Sequence, residues 1–178
     1  AAVAAPAHAT PGVPLTPEMQ LETSTDFAML IQAARDAAGD TAVVFFDGAT
    51  GSNYLQTFHA DGSPYSARIK FAPGGSNTVV AMDKSGEVTL AWVESSYSSG
   101  PLILDLLAQR FALDGTPQGD PIMVAPPFKS RAFGGFGVAS VGVAMDDDGD
   151  FAVKWIKGWD LTIPLGPGGY SSLSIDEA

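Results

Sequence analysis

Asp146, Asp148 and Asp150 stand at alternate positions in the stretch VAMDDDGDFAVKW, with Asp147 and Gly149 between them. Oxygen ligands for calcium are often spaced this way. An EF-hand loop, however, places its glycine sixth and closes on a bidentate Glu. Here Gly149 is fourth counting from Asp146, and no Glu follows before Glu177. Two related stretches, VAMDKSGEVTLAW from Val80 and AARDAAGDTAVVF from Ala33, carry Ser85 and Ala38 where this one has Asp148. A turn that recurs without the extra carboxylates does not need a metal to form. The stretch reads as a solvated hairpin, with Asp146 capping the turn through bonds to backbone N–H groups. No cofactor is expected, and calcium on Asp146, Asp148 and Asp150 is the competing reading.

The other reactive side chains are few. The chain has 2 His, His8 and His59, and no Cys. A three-His zinc site within one chain, a thiolate metal site, a disulfide and a Cys nucleophile are therefore excluded. A Ser-His-Asp triad needs a buried, oriented His, and neither His sits in a motif that suggests one. His59, beside Asp61 and Gly62, reads as a solvated turn residue. No G-x-S-x-G and no phosphate loop ending in G-K-(S/T) occurs. PGGSN, from Pro73, reads as a loop, and GGFGV, from Gly134, lacks the helix that a nucleotide-binding glycine loop requires. Paired carboxylates for glycosidic chemistry lie far apart in a chain, and nothing selects a pair here. The protein is expected not to be an enzyme. Its binding candidates are Trp159, Tyr97, Tyr54 and Tyr170, which fall outside the expected strand cores. Such rings stack on sugars or anchor a protein interface. Edge packing of an irregular last unit is the plainer role for Trp159.

The elements that would position these residues come from a repeat. The three stretches align at Asp36, Asp83 and Asp146, at Gly39, Gly86 and Gly149, and at the closing aromatics Phe45, Trp92 and Trp155. A second element, FHADGSP from Phe58, matches FALDGTP from Phe111, and HATPGVP from His8 is a degraded copy. In the second unit TVVAMD, VTLAWVE, LILDLLAQRFAL and PIMVAPP read as four strands, joined by KSGE, SSYSSG and DGTPQG. Aspartate followed by glycine suits tight hairpin turns, because glycine tolerates positive φ. Val88, Leu90 and Trp92 alternate with Thr89, Ala91 and Val93, so both faces of that strand are mostly apolar, as in a sheet packed between two others. Two segments compete with this reading. TSTDFAMLIQAARDAAGD has helical spacing at Phe27, Leu30, Ile31 and Ala34, and PLILDLLAQRF is similarly ambiguous. The repeat register favours strand in both.

Four strands in each repeat of this length resembles a β-propeller blade. The pattern V-A-M-D-x-x-G-(D/E)-x-x-x-x-W, followed by Gln109, Arg110 and Phe111 and then D-G-x-P, is similar to tandem propeller-like repeats of secreted bacterial proteins. That resemblance implies an all-β fold with units near 33–76, 77–137 and 138–178. Residues 12–22 would be a complementing strand, and 1–11 an extended Ala/Pro-rich arm. It says little about activity. The strands total twelve, three blades if the two ends share one. Three is below the usual range for a ring. Self-association or a protein partner is therefore expected to complete it, with two chains making a six-bladed ring.

Composition agrees with short strands and bounds the partners. The 178 residues suit one domain, and 20 Gly with 13 Pro imply many turns. With 20 acidic and 9 basic residues the net charge is -11, which repels phosphate backbones, so no nucleic-acid partner is expected. No apolar run is long enough for a membrane span. The start AAVAAPAHA reads as a mature end left by signal-peptide removal, placing the protein in the periplasm, at the cell surface or outside the cell. The expected role is a non-catalytic structural or protein-interaction subunit of an extracellular or periplasmic assembly. The alternative is lectin-like carbohydrate binding through the aromatics named above.

Overall fold

The structure is a computed structural model, and it describes residues 28–73, 76–97, 102–130, 136–159, 161–164 and 170–173. The fold is all-β, with no helix among the described residues, so none there is long and apolar enough to cross a membrane. Strands β1 (Ala28–Arg35), β2 (Thr41–Asp47), β3 (Ser52–Phe58) and β4 (Ile69–Pro73) form an antiparallel meander in chain order. The second sheet repeats that plan with β5 (Ser76–Met82), β6 (Val88–Tyr97) and β7 (Leu102–Phe111). Its outer edge is shared by β8 (Ile122–Met123) and β9 (Phe128–Ser130), both paired to β7. A third, two-stranded sheet pairs β10 (Phe136–Met145) with β11 (Phe151–Trp159). Finally β12 (Leu161–Pro164) and β13 (Tyr170–Leu173) pair with each other.

The helical alternatives lose to strand at β1 and β7. Each is hydrogen-bonded along its length to the following or preceding strand, and burial on the sheet faces outweighs local helical spacing. Other expectations are corrected. PIMVAPP is not one strand: the pairing breaks at Pro126 and Pro127, which have no N–H to donate. The expected loop SSYSSG is partly strand, since β6 continues through Tyr97. Pro73 ends β4, and Ser76 and Asn77 open β5 rather than lying in a loop. Tyr170–Leu173 pairs with β12 and adds no third strand to β11. The proposed arm and complementing strand, residues 1–22, lie outside the described residues.

The core follows from strand periodicity. Six consecutive residues of β6, Val88 to Val93, are buried. Successive side chains point to opposite faces, so this strand must be covered on both. Val88, Leu90 and Trp92 meet Ala42, Val44, Leu55 and Phe71 of the first sheet. The Phe71 and Trp92 rings meet edge-on, with centroids 5.5 Å apart. On the other face Val93 joins Leu104, Leu106 and Ala125, and these pack against Val141, Val153 and Trp155 of the third sheet. The second sheet is thus the middle layer. The first strands of the three sheets lie next to one another, with β5 between β1 and β10.

Candidate functional site

The adjacent first strands have two unlike ends. At one end lie the three hairpins that follow β1, β5 and β10, and they are built the same way. Asp36 Oδ1 accepts from the N–H groups of Gly39 (2.7 Å) and Asp40 (2.8 Å). Asp83 Oδ1 accepts from Ser85 (2.8 Å) and Glu87 (2.9 Å). Asp146 Oδ1 accepts from Asp148 and Asp150, both at 3.0 Å. In each the glycine has φ near +90°: 97° at Gly39, 92° at Gly86 and 84° at Gly149. Burial would raise the carboxyl of Asp83. The Ser85 hydroxyl and the N–H groups of Glu87, Ser85 and Gly86 outweigh this and hold it below the usual carboxylate range. In the two D-G turns, Asp61 is held low by Ser63, hydroxyl first and then N–H, and Asp114 by the N–H and then the hydroxyl of Thr116.

These carboxylates are occupied by the backbone. Asp146, Asp148 and Asp150 are exposed, and Asp146 caps its turn. Asp147 pairs with Lys84 of the neighbouring hairpin at 3.4 Å, and Glu87 pairs with Arg110. Among the described residues no three His, Asp or Glu side chains gather into a set that could hold a metal ion.

The opposite end holds a cleft of about 510 Å³, within the size range of small-molecule sites. Met29 and Ile31 of β1, Phe46 of β2, Val79 of β5 and Val141 of β10 supply its apolar surface. Asn53 of β3, Ser76, Asn77 and Thr78 of β5, and Ser140 of β10 supply its polar surface. None of these side chains is charged.

Among the described residues, the four register shifts between paired strands fall around this cleft. The register shifts between Leu30 and Gln32, between Ser76 and Val79, and between Val138 and Ser140, one shift in each first strand. The fourth shift, at Ser52 and Asn53, accommodates Ala72 opposite them. Among the described residues, the two non-glycine residues with positive φ are Ala72 (43°) and Asn77 (50°). Extra residues in a strand bend it and re-aim its side chains, and such bulges are enriched next to functional sites. The Asp hairpin end, by contrast, has regular pairing throughout.

The aromatics singled out in the sequence are strand residues, not loop residues. Tyr54 lies within β3, half-buried, its ring stacked on Phe45 with centroids 5.7 Å apart. Its hydroxyl donates to Thr50 Oγ1 at 3.2 Å. Tyr97 pairs with Leu102 at the end of β6, and Trp159 with Phe136 at the end of β11. Both positions lie at the ends of their sheets away from the Asp hairpins. Tyr170 opens β13, opposite Pro164. Tyr54, whose side chain packs on Phe45, does not line the cleft. Asn77 and Thr78, which do line it, give little site signal because GGSNTVV looks like a loop leading into an apolar strand, and Phe46 reads as an ordinary strand residue. The one signal was an asparagine beside two glycines, a residue that tolerates positive φ.

No family profile, no curated protein and no solved structure matches the chain.

Proposed function

We propose that the three sheets are propeller-type blades. On this reading the chain is a non-catalytic structural or protein-interaction subunit of an exported assembly, its ring completed by a second copy. One observation carries this reading. The glycines of the second and third hairpins lie close to the capping aspartate of the hairpin before. A Cβ at Gly86 would lie 3.4 Å from Asp36 Oδ2, and one at Gly149 would lie 3.6 Å from Asp83 Oδ2. The step from the first sheet to the second is thus repeated from the second to the third. A repeated step that keeps the first strands adjacent closes into a ring or continues as a stack. Propellers close such rings with four to eight blades. Two chains of three units would supply six.

The uncharged lining of the cleft also supports binding over catalysis. General acid–base chemistry needs a titratable group within reach of the reacting atoms, and among the described residues the lining side chains are apolar, amide or hydroxyl. Light scattering in solution tests the assembly. The expected particle has twice the chain mass of 18.4 kDa. A monodisperse particle at the chain mass would overturn the two-chain ring.

A further inference from the structure

β2 and β6 are each flanked by a first and a third strand, whereas β11 pairs, among the described residues, with β10 alone. A strand edge of this kind accepts another strand through its N–H and C=O groups. A second gap lies beside it. Ile69 pairs with Leu55 and Ile122 with Ala108, each three residues before the closing Phe58 or Phe111, so Ile69 and Ile122 hold the same place in their sheets. Ile69 is covered. It packs in the core between the first two sheets, and a Cβ on Gly115, in the turn after β7, would meet its side chain. Ile122 is 53% exposed, with Met123 beside it at 55%. By the same plan, the turn that covers Ile122 is the one that follows a third strand on β11.

The chain carries one more copy of that turn. HATPGVP, His8 to Pro14, aligns with FHADGSP and FALDGTP at Gly12 and Pro14. In the first two sheets the turn closes on its proline, through the bridges Phe58–Pro64 and Phe111–Pro117. An outer strand and a short link then lead into the first strand of the next sheet. Residues 15–22 and 23–27 lead from HATPGVP into β1 in the same order.

We propose that residues 2–22 of a second copy complete the third sheet. Residues 2–8 pair with β11, the turn at Gly12 covers Ile122, and residues 15–22 form the outer strand. This rests on the two-chain ring and names the segment that joins its copies. The supplier is a second copy because of the side from which the segment enters. Val43, Phe45 and Phe58 are the counterparts of Leu90, Trp92 and Phe111, which face the sheet before them. They are buried, so this face of the first sheet is built to be covered by a preceding sheet. Residues 15–22 belong to that preceding sheet. The chain's own β11 lies on the opposite side, beyond the second sheet. Pro6 falls where Gln56 and Gln109 stand and, having no N–H, removes one rung of the ladder.

The chain has no cysteine, so two introduced thiols report the contact. Val13→Cys and Ile122→Cys are placed together in one full-length chain, and separately in two chains that are co-expressed. Mild oxidation, denaturing gels and peptide mapping show which positions join. The expected result is a disulfide between positions 13 and 122 of different chains in both preparations. None is expected when Met29→Cys, at the opposite end of the strands, replaces Ile122→Cys. Ile122→Asp changes an exposed residue, so its circular dichroism should match the parent while association weakens about tenfold. A two-chain particle in light scattering without this link would overturn the strand exchange and leave the ring standing. A link between positions 13 and 122 of the same chain would overturn the second copy as supplier. A particle of chain mass with no link would overturn both.

Discussion

The side-chain carbonyl of Gln32 on β1 accepts a 2.6 Å hydrogen bond from the backbone N–H of Val80 on β5. It crosses between two sheets whose first strands are neighbours but are not paired as a ladder. Val80 is buried, so without Gln32 its N–H would lose this partner in a place poorly supplied with water. Gln32→Ala should therefore cost about 1–3 kcal/mol. Gln32→Glu, which keeps an acceptor, should recover most of it. Urea midpoints of the two variants decide the matter: equal midpoints for Ala and the parent would mean that the bridge contributes nothing.

Thr78→Val should raise stability. It removes a buried hydroxyl that has no partner, a group whose burial costs about 1–3 kcal/mol. In a chain of this size 1 kcal/mol is worth about 2–4 °C in melting temperature. A lower melting temperature would show that the hydroxyl is bonded after all.

Leu90 is fully buried at the junction of the first two sheets, whereas Ile122 on the outer edge is 53% exposed. Leu90→Ala should cost about 2–5 kcal/mol through lost burial and the cavity left behind. Ile122→Ala should stay within about 0.5 kcal/mol. Calorimetry on the pair would expose an error in the sheet order if the two costs came out alike.

Gly149 has φ +84°, and a Cβ there would lie 2.9 Å from the Arg110 guanidinium and 3.1 Å from the Glu87 carboxylate. Gly119 has a similar φ, +88°, with nothing within 4 Å. Gly119→Ala should cost only the left-handed backbone term, about 1–2 kcal/mol. Gly149→Ala should cost more, because the Arg110–Glu87 pair must also move. Equal losses would remove the packed contact between hairpins on which the repeated step rests.

Acid should act through Asp83. The folded-state pKa of Asp83 is lowered from 3.8 by the turn hydrogen bonds, against the effect of burial. A carboxyl whose folded pKa is depressed stabilises the fold above its unfolded pKa, near 3.9, and that contribution fades as pH falls through the folded value. Asp61 and Asp114 are shifted in the same direction and act over the same range. The parent should therefore lose stability below about pH 4 more steeply than Asp83→Asn, which has no charge to lose at that position. Parallel melting curves between pH 5 and pH 3 would contradict the assignment.

The all-β class and the hairpin turns were legible in the chain because their causes are local. Aspartate three residues before glycine is enough to predict a capped turn with positive φ, and all three such turns carry the expected bonds. The mostly apolar run from Val88 to Val93, interrupted by Thr89 alone, likewise announced a strand covered on both faces. Proline positions held the information on where the outer edge of the second sheet would break, although PIMVAPP was read as continuous. The candidate site was not legible. Phe46, the adjacent pair Asn77 and Thr78, and Val141 come from three strands, and their spacing along the chain carries no period. They converge because the first strands of the sheets lie side by side and the register shifts at one end of each. A bulge depends on how two strands share their hydrogen bonds, and the unpaired state of the Thr78 hydroxyl depends on what surrounds it. Local sequence determined the strands and turns of this protein; the tertiary packing alone decided where they leave a cleft.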